Sequence, residues 1–276
     1  MGNVLSAEQV AQFHRDGFLS PITVMTLEEA AALRAELEAA ETAWPEAFSA
    51  TNRSNAHLVL NCLDRLVHHP LIVQAVSDIL GPDLIAYGTV LFIKEAQDPG
   101  FISWHQDATY MGLSQHRGVS SWIALSPSTR GSGCMRMIPG SHARAIVPHT
   151  DTFGESNILT RGQTIEGVDE SQAVDLILAP GQMSLHNLEV MHASHPNSTD
   201  DRRIGFTTQC YLPPDVRQVN HRCIAQLARG EDRHGHFELA PRPVRDMEPE
   251  GIATRDRINA IWSDILYDGA AQRRAF

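Results

Sequence analysis

The spacing of hydrophobic positions changes near residue 82. Ser6 and Thr26 each stand three residues before a Gln or Glu, the capping-box pattern that opens a helix. The Ala-, Leu- and Glu-rich stretch after Thr26 continues the second helix to about residue 41. A third helix is predicted over residues 69–81, between a His-Pro and a Gly-Pro pair. These helices are expected to cover one face of a sheet formed by the middle of the chain.

The middle of the chain carries short runs of β-forming residues between Gly, Pro, Ser or Asp turn signals. The predicted strands are 85–93, 101–105, 119–125, 135–138, 173–178, 183–185 and 203–211. Many short strands favour a sandwich or barrel over alternating strand–helix units. We predict one mainly β domain with flanking helices: a helical layer over 1–82, a β core over 83–215 and an extension over 216–276 with a helix at 251–266. Residues 145–172 form a long polar connection, either a lid or a disordered insert.

Composition restricts the possible classes of function. The 276 residues carry a net charge of −11, which disfavours nucleic acid and anionic membranes as partners. The four cysteines form no Cys-x-x-Cys pair, so a zinc ribbon or redox motif is excluded and a reduced, cytoplasmic setting is expected. No signal peptide or membrane-spanning stretch is visible. The 14 histidines invite a search for a metal site, and the oligomeric state stays open.

The best candidate for a metal site is the segment Trp104-His-Gln-Asp107. In an extended strand, residues i and i+2 point to the same side, so His105 and Asp107 can aim at one point. Together with a distant histidine they would form the 2-His-1-carboxylate facial triad that is associated with non-heme Fe(II) oxygenases. An isolated His-x-Asp is weak evidence, because an exposed turn beside a hydrogen-bonded histidine gives the same pattern.

The other half of the candidate site begins at His192. Ser194 follows two residues later, and Arg203 opens a predicted strand. Alternation along that strand places five residues on one face: Arg203, Gly205, Thr207, Gln209 and Tyr211. A face with an arginine, a glycine and several hydroxyl and amide groups can line a polar pocket or face solvent, and alternation alone favours neither.

Taken together, these motifs resemble the phytanoyl-CoA dioxygenase family. The resemblance rests on five segments in the family's order, which are Glu8–Phe18, Trp104–Asp107, Trp122–Leu125, Gly133–His142 and His192–Arg203. It covers about residues 6–215. The resemblance implies a double-stranded β-helix, or jelly-roll, core and an enzyme that uses Fe(II), 2-oxoglutarate and O2.

Carried over position by position, the resemblance makes His105, Asp107 and His192 the iron ligands. Arg203 would form a salt bridge with the distal carboxylate of 2-oxoglutarate, and Ser194 would hydrogen-bond to the same group. The chemistry agrees, because a planar guanidinium matches a carboxylate with two hydrogen bonds and keeps its charge.

Three further residues are candidates for the co-substrate pocket. Trp122 and Gln106 resemble positions near the co-substrate in the family. Lys94, the only lysine, lies on the strand that leads into the His-x-Asp segment, where a solvated strand end is the alternative. Neither His186, in a predicted turn, nor His195, before a proline, has the family's spacing to the downstream serine and arginine.

The resemblance implies hydroxylation of an unactivated C–H bond, with release of succinate and CO2. Family members that halogenate have a small residue in place of the carboxylate, so Asp107 disfavours a halogenase. No basic cluster suits the diphosphate of coenzyme A, so a small polar or natural-product-like substrate is expected. The candidates for contacting this small molecule flank the predicted mouth of the pocket: Asn61, Tyr87, Tyr110, Met111 and Arg130.

Two other functions remain as alternatives. A non-catalytic jelly-roll binding module would keep the fold without turnover, and the complete set of metal ligands argues against it. A cupin-like metalloenzyme would use the metal without 2-oxoglutarate. Arg203 and Ser194 argue against that enzyme, because it has no need of groups that hold a carboxylate.

Overall fold

The computed structural model describes residues 2–48 and 53–273. Its α-helices are α1 (Ala7–Asp16), α2 (Leu27–Ala43), α3 (Asn61–Val67), α4 (Pro70–Leu80) and α5 (Pro249–Leu266). Its strands are β1 (Phe18–Thr23), β2 (Leu84–Lys94), β3 (Ile102–His105), β4 (Val119–Ala124), β5 (Met135–Met137), β6 (Thr150–Asp151), β7 (Gln163–Thr164), β8 (Val174–Leu176), β9 (Gln182–Asn187), β10 (His192–Ser194), β11 (Arg203–Leu212), β12 (Ile224–Arg229) and β13 (Glu238–Leu239). None of these helices has the length and apolarity needed to cross a membrane.

The core consists of two sheets. The larger has the strand order β1-β9-β4-β11-β2-β12-β13, and the smaller has the order β3-β10-β5-β8. The ladders are antiparallel except for the β12–β13 pair at one edge. This is a jelly-roll core with flanking helices, and the predicted fold class is therefore confirmed.

The N-terminal helices pack against the larger sheet. Both predicted capping boxes are present at the starts of α1 and α2. Leu37 of α2, Leu63 of α3 and Ile72 of α4 belong to one buried cluster with Ile204 and Phe206 of β11. Burial of this apolar surface stabilises the layer on the sheet. The expectation that helices cover one sheet face is thus confirmed.

The larger sheet extends beyond the boundaries predicted for the core. β1 comes from the N-terminal layer and pairs with β9, whereas β12 comes from the C-terminal extension and pairs with β2. β1 contains Pro21, and a proline demotes a stretch to an edge strand or to no strand at all. β1 is indeed at one edge of the larger sheet. Pro21 therefore accounts both for the absence of this strand from the sequence prediction and for its position at the edge.

A bulge in β11 limits the predicted alternation. The pairing of β11 with β2 shifts after Thr208 and again after Cys210. Because a bulge inserts an unpaired residue, the faces exchange beyond it. Tyr211 therefore lies in the cluster under the helices, where its hydroxyl donates to the Val67 carbonyl at 2.8 Å. Alternation holds from Arg203 to the bulge and fails at Tyr211.

The polar connection 145–172 is folded. β6 and β7 pair as a hairpin within it. Arg161 in this hairpin forms an ion pair with Asp151 and donates to the Asp268 carbonyl at 3.1 Å, just beyond α5. The hydroxyl of Tyr267 donates to the Thr160 carbonyl at 3.2 Å. The hairpin is therefore tied to the end of the C-terminal helix.

Candidate metal centre and co-substrate pocket

A cavity of about 220 Å³ is lined by residues of both sheets. Strands β2, β4, β9 and β11 of the larger sheet form one wall, and β3, β5 and β10 of the smaller sheet form the opposite wall. Residues 158–160 of the hairpin connection and Trp262 and Leu266 of α5 also line the cavity. The cavity is thus closed by parts of the chain far from the predicted motifs.

The three predicted metal ligands meet in this cavity. β10 pairs with β3 so that His192 lies opposite His105. Asp107 follows an extended Gln106 and opens a short 3-10 turn. The Asp107 Oδ1 atom is 3.4 Å from Nε2 of His105 and 3.8 Å from Nε2 of His192. One donor atom of each residue lies within 4.8 Å of the other two.

Backbone carbonyls orient both imidazoles. Nδ1 of His105 lies 2.9 Å from the Ser103 carbonyl oxygen, and Nδ1 of His192 lies 3.1 Å from that of Val190. A carbonyl only accepts a hydrogen bond, so each Nδ1 carries the proton. Each Nε2 then presents its lone pair on the side of Asp107, as a metal ligand requires.

The ionisation of the cluster also suits a divalent metal. Burial lowers the pKa of His192 to about 3, so this imidazole is neutral at neutral pH. Burial works to raise the pKa of Asp107, but the electrostatic interaction with His192 and the adjacent His105 and His186 side chains hold that pKa well below its usual value. Two imidazoles and one carboxylate are the donor set of non-heme Fe(II) sites, and these residues fit that metal.

A third histidine, His186, lies beside the cluster and was misplaced by the sequence analysis. It is in strand β9, not in a turn. Its Nε2 is 3.6 Å from Oδ2 of Asp107, and its buried Nδ1 has no hydrogen-bond partner among the described residues. The sequence does carry a signal for this position. Apolar Met183 and Leu185 alternate with polar Ser184 and His186, and this alternation would have extended the predicted strand 183–185 to include His186.

Arg203, from strand β11 of the larger sheet, lines the cavity on the wall opposite His105 and His192. Its side chain is only 1% exposed, and its Nη1 donates to the Gly133 carbonyl at 2.9 Å. Its guanidinium carbon lies 5.2 Å from the centre of the Trp122 ring. Burial lowers the pKa of Arg203 to about 10, so the group is still charged at neutral pH. Its buried Nε has no partner in the described chain, which leaves a donor for an anion.

Lys94 lies beside Arg203, on the paired position of β2. It is completely buried, so the alternative of a solvated strand end is wrong. Its ammonium donates to Ser194 Oγ at 2.7 Å and to the His195 carbonyl. Burial, together with the charge of Arg203, lowers the pKa of Lys94 to about 7. Ser194 lines the cavity and Lys94 lies behind it, so Lys94 orients the serine hydroxyl.

Gln106 lies outside the cavity lining. Its side-chain amide donates to the Glu189 carbonyl at 2.8 Å and accepts from the Val147 amide at 3.0 Å. Both ends of the amide are therefore used, and they join the loop between β9 and β10 to the start of the connection 145–172. The structure gives Gln106 a role in holding these two segments and does not bring it to a co-substrate, unlike Trp122, which lines the cavity under Arg203.

Three of the five candidate substrate residues lie at the cavity or the recess beside it, and the other two lie elsewhere. Tyr110 and Met111 line the cavity, and Tyr87 lines a small recess that adjoins it. Asn61 instead begins α3 and donates to the Val244 carbonyl, and Arg130 is exposed and paired with Asp175 at 2.6 Å. The predictions for Asn61 and Arg130 are therefore not supported, because the segments that carry them pack away from the mouth.

Comparison with known proteins agrees with the fold and the site. The jelly roll and the His-Asp-His cluster define a non-heme metal-dependent oxygenase. The phytanoyl-CoA dioxygenase (PhyH) family profile matches residues 13–205, and the chain belongs to this family. The family uses Fe(II) and 2-oxoglutarate, for which the chain retains the metal cluster, so the predicted cofactors are confirmed.

Several relatives and solved structures are similar to this chain. It is 31% identical over 224 residues to the ectoine dioxygenase of Bordetella parapertussis, covering 71% of each chain. It is 26% identical to a probable alpha-ketoglutarate-dependent hypophosphite dioxygenase of Stutzerimonas stutzeri, over 54% of this chain and only 52% of that relative's length. The apo structure of the non-heme monooxygenase ThoJ has a TM-score of 0.84 and 34% identity, over 94% of this chain and 98% of that one.

Replacing His186 by phenylalanine is expected to weaken Fe(II) binding by about 10- to 100-fold, the range typical of residues that orient a metal ligand. Phenylalanine fills the same space but offers no N–H to the Asp107 carboxylate. The measurement is an anaerobic Fe(II) titration. His186→Gln, which retains an N–H donor, should recover most of the affinity. Equal affinities of wild type and His186→Phe would show that His186 does not orient Asp107.

Proposed function

We propose that this protein is an Fe(II)- and 2-oxoglutarate-dependent dioxygenase that hydroxylates an unactivated C–H bond of a small polar or natural-product-like molecule, with release of succinate and CO2. The observation that carries the proposal is a facial metal cluster and a buried, charged arginine in one cavity. His105, Asp107 and His192 would hold the iron. Bound iron, with 2-oxoglutarate and O2, supplies the oxidising chemistry.

Arg203 would hold the distal carboxylate of 2-oxoglutarate. The Arg203 side chain is almost completely buried, so the guanidinium attracts a carboxylate far more strongly than it would in water. Trp122 supports the flat guanidinium from one side. Gly205 makes this stacking possible, because a Cβ there would lie 1.9 Å from Cζ2 of Trp122. Ser194, oriented by Lys94, would add a hydroxyl to the same carboxylate.

The hairpin connection and α5 would keep water from the metal cluster. Leu159 and Leu266 place apolar side chains in the lining, and Arg161 joins the two segments through the backbone beyond α5. A dry cavity strengthens every electrostatic interaction inside it and prevents side reactions. The ordered connection therefore acts as a cover over the substrate side of the cavity.

The charges of the lining favour a neutral substrate or a neutral reacting part. Among the described lining residues, Asp107 is the only carboxylate, and it belongs to the metal cluster. The charge of Arg53 is already balanced, since it donates to the Ile93 carbonyl at 3.0 Å and pairs with Glu95 at 3.2 Å, and only its buried Nε has no partner among the described residues. A cationic substrate would find no counterion. The names of the ectoine and hypophosphite dioxygenases also support small-molecule oxidation.

The first test is an anaerobic addition of Fe(II) and then 2-oxoglutarate to the metal-free protein. A visible charge-transfer band is expected when 2-oxoglutarate chelates the iron. When a substrate and 18O2 are then supplied, 2-oxoglutarate should be converted to succinate and CO2, with one 18O atom in the succinate and the other in the hydroxylated product. Iron binding without the band would favour the cupin-like metalloenzyme. No iron binding would favour the non-catalytic module.

A further inference from the structure

The end of the cavity away from Arg203 contains two buried polar atoms that have no partner among the described residues. Arg203, Thr207 and Gln209 of β11 all line the cavity, and Gln209 lies about 20 Å along the strand from Arg203. Oε1 of Gln209 and Nε1 of Trp262 are both buried, and neither has a hydrogen-bond partner among the described residues. Trp262 as a whole is 7% exposed.

These two side chains share a recess that adjoins the main cavity. The recess is lined by Tyr87, Tyr110, Met111, Gln209, Trp262, Ile265 and Leu266. None of these seven residues carries a charge at neutral pH. A charged ligand group would lose its hydration there without gaining a counterion. A purely apolar group would leave the Trp262 donor and the Gln209 acceptor unpaired, which is also costly.

Trp262 is held rigidly in this recess. Its six-membered ring lies over Gly88, where a Cβ would come within 2.1 Å of Cζ2. The Tyr87 ring packs beside it, with a centroid distance of 5.4 Å and an interplanar angle of 35°. The indole N–H is therefore fixed in direction before any ligand binds, which reduces the entropy lost on binding.

We propose that this recess binds a neutral carboxamide or lactam group of the substrate. The ligand carbonyl would accept from Nε1 of Trp262, and its N–H would donate to Oε1 of Gln209. Because the Gln209 side chain is itself an amide, it can turn over and still pair with a group that has both a donor and an acceptor. The inference rests on the proposed function, since it assigns a polar group of the substrate that the proposed oxygenase would hold.

The test uses the full chain loaded with Zn(II) and 2-oxoglutarate, so that no turnover occurs. With 15N-labelled tryptophan the protein gives signals from four indole N–H groups, and Trp262→Phe identifies the one from Trp262. Hexanamide should shift this signal saturably. 2-Heptanone, hexanoate and hexylammonium should bind at least about tenfold more weakly, because each lacks one partner or adds a charge.

One variant, with a matched control, tests the recognition by Gln209. Gln209→Met should weaken hexanamide binding by about tenfold and should bring it close to that of 2-heptanone. Trp44→Phe is the matched control, because Trp44 is 37% exposed and lies outside the cavity lining, and it should leave hexanamide binding unchanged. Unshifted signals of the remaining tryptophans would show that each variant is folded.

Some results would overturn the carboxamide recess. These are a Trp262 signal that hexanamide does not move, equal binding of all four probes, or hexanamide binding that is independent of Gln209. The charge-transfer band of the Fe(II) and 2-oxoglutarate complex is recorded on the same preparations. Absence of the band contradicts the proposed function. A normal band together with a Trp262 indole signal that hexanamide does not shift contradicts only the proposed binding of a carboxamide in the recess.

Discussion

Replacing Arg203 by alanine is expected to raise the 2-oxoglutarate concentration for half-saturation by about 30- to 1000-fold, while Fe(II) binding is retained. Removal of one partner from a buried, hydrogen-bonded charge pair costs about 2–4 kcal/mol, which corresponds to this range. Arg203 meets the conditions for a large effect, because it is buried and charged and lies against Trp122. The measurement is an anaerobic 2-oxoglutarate titration of the charge-transfer band, together with the KM for 2-oxoglutarate.

Arg202 provides a matched control for this experiment. It is the preceding residue, but its side chain pairs with Glu41 and Glu95 at the surface. Arg202→Ala should therefore leave 2-oxoglutarate binding close to that of wild type. Arg203→Lys should fall between the two, because it keeps the charge but loses the planar pair of donors. If Arg203→Ala bound 2-oxoglutarate as tightly as wild type, the cupin-like alternative would gain support.

The sequence could predict that the proposed metal ligands and Arg203 meet in one cavity, because local patterns and the family's spacing place them. His105 and Asp107 are two residues apart around an extended Gln106, and the sequence period of a strand puts such residues on one side. His192 followed from the family's spacing to Ser194 and Arg203, and the pairing of β10 with β3 confirms that it lies opposite His105. Short-range geometry and family spacing were sufficient for these residues.

The parts of the cavity that the sequence did not predict depend on long-range packing. The helix at 251–266 was expected, but no local pattern shows that Trp262 closes the far end of the cavity. The hairpin connection likewise lines the cavity through contacts with residues about a hundred positions away. The same reason applies to Asn61 and Arg130, which lie outside the cavity lining. The direction in which their segments pack is set by distant partners such as Val244 and Asp175.

The assignment of His192 over its neighbour His195 leads to the other large effect. His192 is buried, with Nε2 3.8 Å from Asp107 Oδ1, whereas His195 is exposed and lies 2.8 Å from an Arg136 nitrogen. His192→Ala removes one of the three proposed ligands, and the loss in Fe(II) affinity should exceed the roughly 100-fold upper range seen for residues that only orient ligands. Turnover of 2-oxoglutarate should fall with it.

His195→Ala is the matched control, since it removes the same side chain three residues away from the same segment. It should keep Fe(II) affinity and succinate formation near the wild-type values. The comparison is made by anaerobic Fe(II) titration and by succinate release on identical preparations. If both variants lost iron equally, the effect would come from disruption of the 192–195 segment and not from a ligand. If His192→Ala kept its iron, the facial cluster of His105, Asp107 and His192 would be wrong, and with it the basis for the proposed oxygenase.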